Sequence, residues 1–375
     1  MVFILFVIIA LALVLQRYSL RFPMEQLHYR LEPSKRSVEQ GEEFTMTTTI
    51  DNASKRRIPF LKAEEQIPNA VLLNGAEYMD LRPLSDANVH NSTLFMKKKQ
   101  KVTRTMTGAI YKRGIYHFRY ARLHVGDFLG LKQLESDFKQ ERSVVAFPRR
   151  MQDQRLDMVI SDILGEISVR SFLHQDPMLV MGYRDYTGCE PLKSISFPVS
   201  AKRNQLTVKE FDHTREELVD IIFDVSYKGD FNHYFDQLEA MFCIVRTLCE
   251  SFERKGVSYR LITNAFYASM EVRGVNIIRS GGNNGNSFYK ILEMLGMASN
   301  AAMCKTEELL TSVLRGFEQE KEFVYVSQMR EPDTQTLLSE LEKRYGVELH
   351  CIYGQDFEDT YLNMMERKSK EDVAC

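Results

Sequence analysis

Apolar and polar residues alternate at every second position through the first part of the chain. Residues 44–50 (FTMTTTI) place Phe44, Met46, Thr48 and Ile50 on one face, and Asp51-Asn52 follows as a turn. Segments 102–110, 114–120 and 143–147 read as further strands, and no long stretch there has a 3.6-residue period. Short strands spaced by turns predict a β-sandwich over residues 24–150. From about residue 206 the pattern becomes strand, helix, strand. Residues 217–224 (ELVDIIFD) read as a buried strand. Residues 231–254 follow with apolar positions at Phe231, Tyr234, Phe235, Leu238, Met241, Phe242, Val245, Leu248, Cys249 and Phe252, a wide core-facing helical stripe. Asp230 is the expected N-cap and Gly256 the expected stop. Strands at 257–263, 322–327 and 347–353, an antiparallel edge at 270–278, and helices at 287–297, 306–317 and 334–345 complete an open, mostly parallel sheet covered on both faces.

Residues 1–15 (MVFILFVIIALALVL) are all apolar. As a helix they span about 22 Å against a hydrocarbon core of about 30 Å. Gln16, Tyr18 and Leu20 would extend the segment, with Arg17 and Arg21 snorkelling to the interface. Nothing basic precedes the run and no small-x-small site follows it, which favours an uncleaved anchor over a signal peptide. The positive charges just after it predict a single-pass protein of the cell inner membrane with cytoplasmic domains. The expected organisation is a membrane anchor over 1–20, the sandwich over 24–150, a linker region over 151–205, the α/β unit over 206–365 and a polar tail over 366–375.

Composition narrows the function. The chain has 375 residues, 44% hydrophobic and 27% charged, enough for two sizeable cores. A net charge of −2 gives no reason to expect nucleic acid. The six cysteines form no CxxC pair and all lie in the second half, which fits neither a disulfide framework nor a zinc site. The basic run Lys97, Lys98, Lys99, Lys101 and Arg104 reads first as a solvated strand edge and second as a contact to anionic lipid. The chain has no GxxxxGK[ST], HExxH or GxSxG motif. The loop 280–286 (SGGNNGN) lacks the P-loop lysine and reads as a flexible loop.

Sites in open sheets gather at the carboxyl ends of strands. There stand Asp224 and Ser226, two hard oxygen donors suited to Mg²⁺. In this order the residues resemble a von Willebrand factor A-like domain. Its metal loop reads Asp-x-Ser-x-Ser, with a later Thr and a later Asp. Here the third position is Lys228, the later Thr has no clear match beyond Asn286 or Ser287, and the last Asp is Gln328. The resemblance therefore implies a degenerate metal site in which Lys228 takes the cation's place, and no cofactor is expected, Mg²⁺ being the one ion the pattern admits.

A wider resemblance covers nearly the whole chain. Lys112-Arg-Gly-Ile-Tyr116, Asp127-Phe-Leu-Gly-Leu131 and above all Gly182-Tyr-Arg-Asp-Tyr-Thr-Gly188, with Ile195, Ser200, Ala201, Lys202 and Leu206 beyond it, resemble the bacterial family of domain of unknown function 58. Cys189, Phe197 and Lys202 depart from the family's Asp, Trp and Arg. The resemblance implies a non-enzymatic, membrane-bound companion of MoxR-type AAA ATPases that assists assembly of client proteins. It singles out Arg184, Asp185, Tyr186, Gly188, Ser200 and Lys202 as a partner-binding or linker-bracing motif. The alternatives are a Mg²⁺-dependent adhesion module facing outward and a hydrolase using Asp224 or His213.

Overall fold

A computed structural model describes residues 22–74, 78–79, 87–127, 133–173, 180–188, 190–211, 218–227, 231–267, 275–280, 285–316, 322–346 and 349–373, together with Phe6 and Val14. The chain divides into two compact units, Met1–Arg149 with Leu295–Met297, and Arg150–Met294 with Ala298–Cys375.

Among the described residues the first unit has ten strands: β1 (Leu27–Pro33), β2 (Ser37–Val38), β3 (Glu43–Asn52), β4 (Ile58–Pro68), β5 (Val71–Leu73), β6 (Tyr78–Met79), β7 (Ala87–Met96), β8 (Gln100–Ile110), β9 (Gly114–Gly126) and β10 (Gln133–Ala146). They form a four-stranded sheet, β1-β3-β8-β5, and a six-stranded sheet, β2-β10-β9-β4-β7-β6. Side chains from both sheets meet in one core, Phe44, Met46 and Ile50 from the first against Leu61, Phe118 and Leu123 from the second. Phe44, Met46, Thr48 and Ile50 are all buried, as their alternation predicts. Gly108 lets β5 lie close against β8, since a Cβ there would sit 2.6 Å from the Leu72 carbonyl oxygen.

A buried charge, Glu65, sits between the two sheets. Glu65 on β4 is 2% exposed. Its carboxylate accepts hydrogen bonds from the Tyr29 hydroxyl at 2.7 Å and the Thr48 hydroxyl at 2.8 Å, and pairs with Arg104. Burial, and then the Glu65 charge, push the Tyr29 hydroxyl far above its usual range, so it stays a donor. Arg104 is thus not part of a solvated edge. It lies opposite Thr48 in the β3–β8 ladder, on the face that turns inward.

The second unit opens with helix α1 (Gln154–Leu173), so residues 151–205 lie inside it. Strands β11 (Val180–Asp185) and β12 (Thr207–Phe211) form an antiparallel ribbon around helix α2 (Phe197–Arg203). Among the described residues the main sheet has five strands. In chain order they are β13 (Leu218–Phe223), β14 (Ser258–Thr263), β16 (Asn276–Ser280), β18 (Glu322–Ser327) and β19 (Leu349–Tyr353), arranged β16-β14-β13-β18-β19. Among these described strands β16 alone is antiparallel to its neighbour. A separate pair joins β15 (Ala265–Tyr267) to β17 (Ala298–Ala302). The helices are α3 (Phe231–Lys255), α4 (Gly285–Met297), α5 (Thr306–Gly316), α6 (Pro332–Tyr345) and α7 (Glu358–Val373).

Period two in β13 sorts the layers. Phe223 meets Phe242 of α3 edge to face, with ring centroids 4.9 Å apart. Ile222, on the opposite face, joins Leu309 and Val313 of α5 and Leu338 and Leu341 of α6. The α3 stripe is buried from Leu238 through Phe252, while Phe235 is 47% exposed. Gly256 ends the helix at φ 70°, a left-handed conformation that glycine adopts without steric cost. Between β13 and β14 lies a buried ion pair, Arg260 Nε to Asp220 Oδ1 at 2.6 Å with a second contact beside it.

Two expectations are corrected by this architecture. The fold class as a whole, opening on a membrane helix before an Ig-like β-sandwich and a von Willebrand factor A-like open sheet, does not stand, since no membrane-spanning helix is found among the described residues. Among the described residues strand outnumbers helix, and the strands fall in several separate sheets. Among the described residues no helix is long and apolar enough to cross a membrane. The single-pass inner-membrane placement and the membrane description are therefore not supported, and the several separate sheets leave the von Willebrand factor A-like description without support. The longest described helix, α3, carries a charged face opposite its core stripe, which suits a globular interior and not lipid. The expected anchor over 1–20 lies outside the described residues apart from Phe6 and Val14.

Candidate functional site

Asp224 follows directly on β13 and is completely buried. Its amide donates to the Val326 carbonyl at 2.9 Å, which fixes the chain as it leaves the sheet. Oδ1 accepts from the Ser226 amide at 3.0 Å and from the Asn264 side-chain amide at 2.8 Å. Oδ2 accepts from the Thr306 hydroxyl at 2.7 Å and the Tyr325 hydroxyl at 3.0 Å. A carboxylate has about four lone-pair sites, and these donors fill them. Asn264 also reaches Ser226 Oγ at 2.9 Å and the Cys304 carbonyl at 3.1 Å, while its own oxygen accepts from the Val225 amide at 2.9 Å.

The buried charge colours its surroundings. Burial first, and then Asp224, hold the Tyr325 hydroxyl well above its ordinary range. Tyr234 is raised for the same two reasons in the same order. Cys304 is raised by burial, then by Glu308 and Asp224, so it is a neutral thiol and a poor nucleophile. Above this hub lies an open cleft of about 550 Å³, lined by Ser226, Tyr227, Cys304, Lys305, Glu307 and Glu331 among others.

The donor set does not fit a metal ion at Asp224 and Ser226. The Asn264 amide directs its hydrogens at both, where a cation would stand, and Mg²⁺ requires oxygen ligands with free lone pairs. Gln328 donates instead to Gln237 on α3 at 2.9 Å. Lys228, His213 and Cys189 lie outside the described residues, as does most of the loop 280–286 and all of 128–131. Ser287 is half-buried on α4, and the side chain of Asn286 is not described. The outward-facing, Mg²⁺-dependent adhesion reading loses its support with that ligand set.

The motif around Arg184 builds the ribbon. Gly188 turns the chain at φ 94°. Glu190 then folds back to pair with Arg184 and to accept from the Thr187 hydroxyl at 2.8 Å and the Thr187 amide at 3.1 Å. The Thr187 hydroxyl first, and Arg184 after it, bring the Glu190 carboxyl down to about 2. Ser200 Oγ accepts from the Thr207 amide at 2.9 Å, binding α2 to β12. The Tyr186 amide donates to the Leu206 carbonyl at 2.9 Å. Asp185 and Lys202 are exposed, and in the same stretch of chain Leu192, Phe197 and Leu206 are 73%, 68% and 50% exposed.

Asn264, Thr306 and Tyr325 are not singled out by the sequence pattern. Asn264 follows directly on β14, so the rule that led to Asp224 leads to it too. Thr306 opens α5 ahead of Glu307 and Glu308, a helix-start signature that does not announce a distant carboxylate.

No family model matches the chain. It is 24% identical over 210 residues to the uncharacterized protein YeaD of Bacillus subtilis, covering 54% of this chain and 49% of that one. The chain thus spans about half the length of the curated relative it matches. Among solved structures it is similar to the CARDB domain of the PF1109 protein from Pyrococcus furiosus, at 14% identity and a TM-score of 0.20, covering 32% of this chain and 93% of that one. A cohesin module from a Clostridium perfringens family 33 glycoside hydrolase matches at 11% identity and a TM-score of 0.22, over 32% of this chain and 97% of that one. Both TM-scores fall below 0.5, and the fold described above rests on the sheet pairings themselves.

Proposed function

We propose that this protein is a non-enzymatic adaptor that binds a MoxR-type AAA ATPase, client proteins or both through the strand-end face of its second unit. The observation that carries the reading is the occupancy of Asp224. A carboxylate that acts as a base or ligand needs a lone pair directed at substrate or metal. Asp224 directs its own at Asn264, Thr306, Tyr325 and the Ser226 amide. Its role is to hold three loops in one rigid surface, which suits recognition of a partner. The family resemblance supplies the partner class and the chaperone-like assembly role.

Tyr227, half-exposed at the cleft, and Lys305, exposed beside it, are the natural contacts. Purified full-length chain should bind a purified MoxR-type ATPase from the same organism in an interference or calorimetric assay. Tyr227→Ala and Lys305→Glu should each weaken that binding about tenfold or more while leaving the unfolding midpoint unchanged. Absence of binding with nucleotide both present and absent, or binding indifferent to both substitutions, would overturn the reading.

A further inference from the structure

A second cluster of ligand-type side chains lies at the other end of the main sheet. Glu322 is the first residue of β18 and His350 the second of β19. Val324 pairs with His350 in the parallel ladder, so Glu322, two residues earlier, shares a sheet face with His350. Glu166 arrives from α1, with Oε2 at 3.2 Å from His350 Nε2. One ligand atom from each of the three lies within 4.8 Å of the other two.

We propose that Glu166, Glu322 and His350 form a divalent transition-metal site of the Zn²⁺ class, separate from the strand-end face. Three observations carry this. The donors are one imidazole nitrogen and two carboxylates, the mixed set that Zn²⁺ accepts and that Mg²⁺ and Ca²⁺, which prefer oxygen alone, do not. Glu322 is only 5% exposed, and it opens a strand whose six residues are all buried. A carboxylate so placed beside a second one is stabilised by a cation between them. Finally, Glu166 and His350 are half-buried, which leaves solvent access for entry of an ion and for a water in the fourth position. The ion would clamp α1 to the starts of β18 and β19, three segments far apart in sequence.

Tag-free full-length protein, freed of metal by chelator dialysis, tests this with Zn²⁺ alone. Calorimetry should show one Zn²⁺ bound per chain, and Zn²⁺ should raise the unfolding temperature, as binding to the folded state alone requires. Co²⁺ in its place should give the visible absorption of a tetrahedral nitrogen and oxygen site. Glu322→Gln and His350→Gln should abolish the shift and the absorption. Glu166→Gln, at a half-buried helix position, provides the same reading if the strand variants fail to fold. Tyr227→Ala, at the strand-end cleft, should retain full Zn²⁺ binding, so this result and the adaptor reading can fail separately. No bound Zn²⁺, Mg²⁺ preferred to Zn²⁺, or Zn²⁺ binding unchanged in Glu166→Gln would overturn the proposal.

Discussion

The Thr306 hydroxyl donates to the Asp224 carboxylate at 2.7 Å, joining the first residue of α5 to the end of β13. The contact is completely buried at Asp224 and nearly so at Thr306. It ties a helix on one face of the sheet to the loop that leaves the central strand.

Replacing Thr306 by Val keeps its shape and removes the donor. We expect a loss of about 1–2 kcal/mol in urea unfolding, with Thr306→Ser close to the parent. Equal stability of Val and Thr at this position would show that the bond contributes nothing.

Removing the acceptor is more severe. Asp224→Ala leaves the buried Asn264, Thr306 and Tyr325 donors without their common partner. We expect about 3–5 kcal/mol of destabilisation by chemical denaturation. A loss no larger than that of Thr306→Val would contradict the hub.

The buried pair in the main sheet behaves by different rules. Asp220 and Arg260 are almost fully buried and bonded to each other. Asp220→Leu or Arg260→Met alone leaves one desolvated charge and should cost about 3–5 kcal/mol. The double variant Asp220→Leu with Arg260→Met should recover most of that. A double-mutant cycle with no coupling energy would reject the pairing.

Acid provides a fourth test, at the ribbon. The Glu190 carboxyl is brought from its ordinary 4.5 down to about 2, by the Thr187 hydroxyl first and Arg184 next. A depressed carboxyl stabilises the fold fully above the ordinary value and loses that contribution as pH falls toward about 2. The difference in unfolding temperature between the parent and Glu190→Gln should therefore be constant above pH 4.5 and shrink below it. Parallel profiles through that window would show that Glu190 is not held this way.

Much of this structure could be read before it was seen, and the reasons are local. Phe44, Met46 and Ile50 alternate because one face of β3 is buried, and Leu238 to Phe252 repeat because one face of α3 is. Asp224 was visible because strand ends are where loops converge. Its partners were not, since Asn264, Thr306 and Tyr325 lie 40, 82 and 101 residues further on and only folding brings them together. Arg104 was misread for a related reason. It belongs to a run of lysines by sequence, yet its place opposite Thr48 turns it into the core. The overall class was misjudged because a short apolar run and a strand-helix alternation each fit more than one architecture.

Glu65 has a consequence for how the first unit closes. Its partners Tyr29, Thr48 and Arg104 belong to the four-stranded sheet, while Glu65 belongs to the six-stranded one. Apolar faces alone tolerate sliding, because one methyl-lined groove resembles the next. A slip of one pleat, about 7 Å, would set this carboxylate against an aliphatic residue such as Met46 or Ile50 in place of Thr48. The two layers are thereby indexed like a key in a lock, and only one alignment of the sandwich is free of a stranded charge.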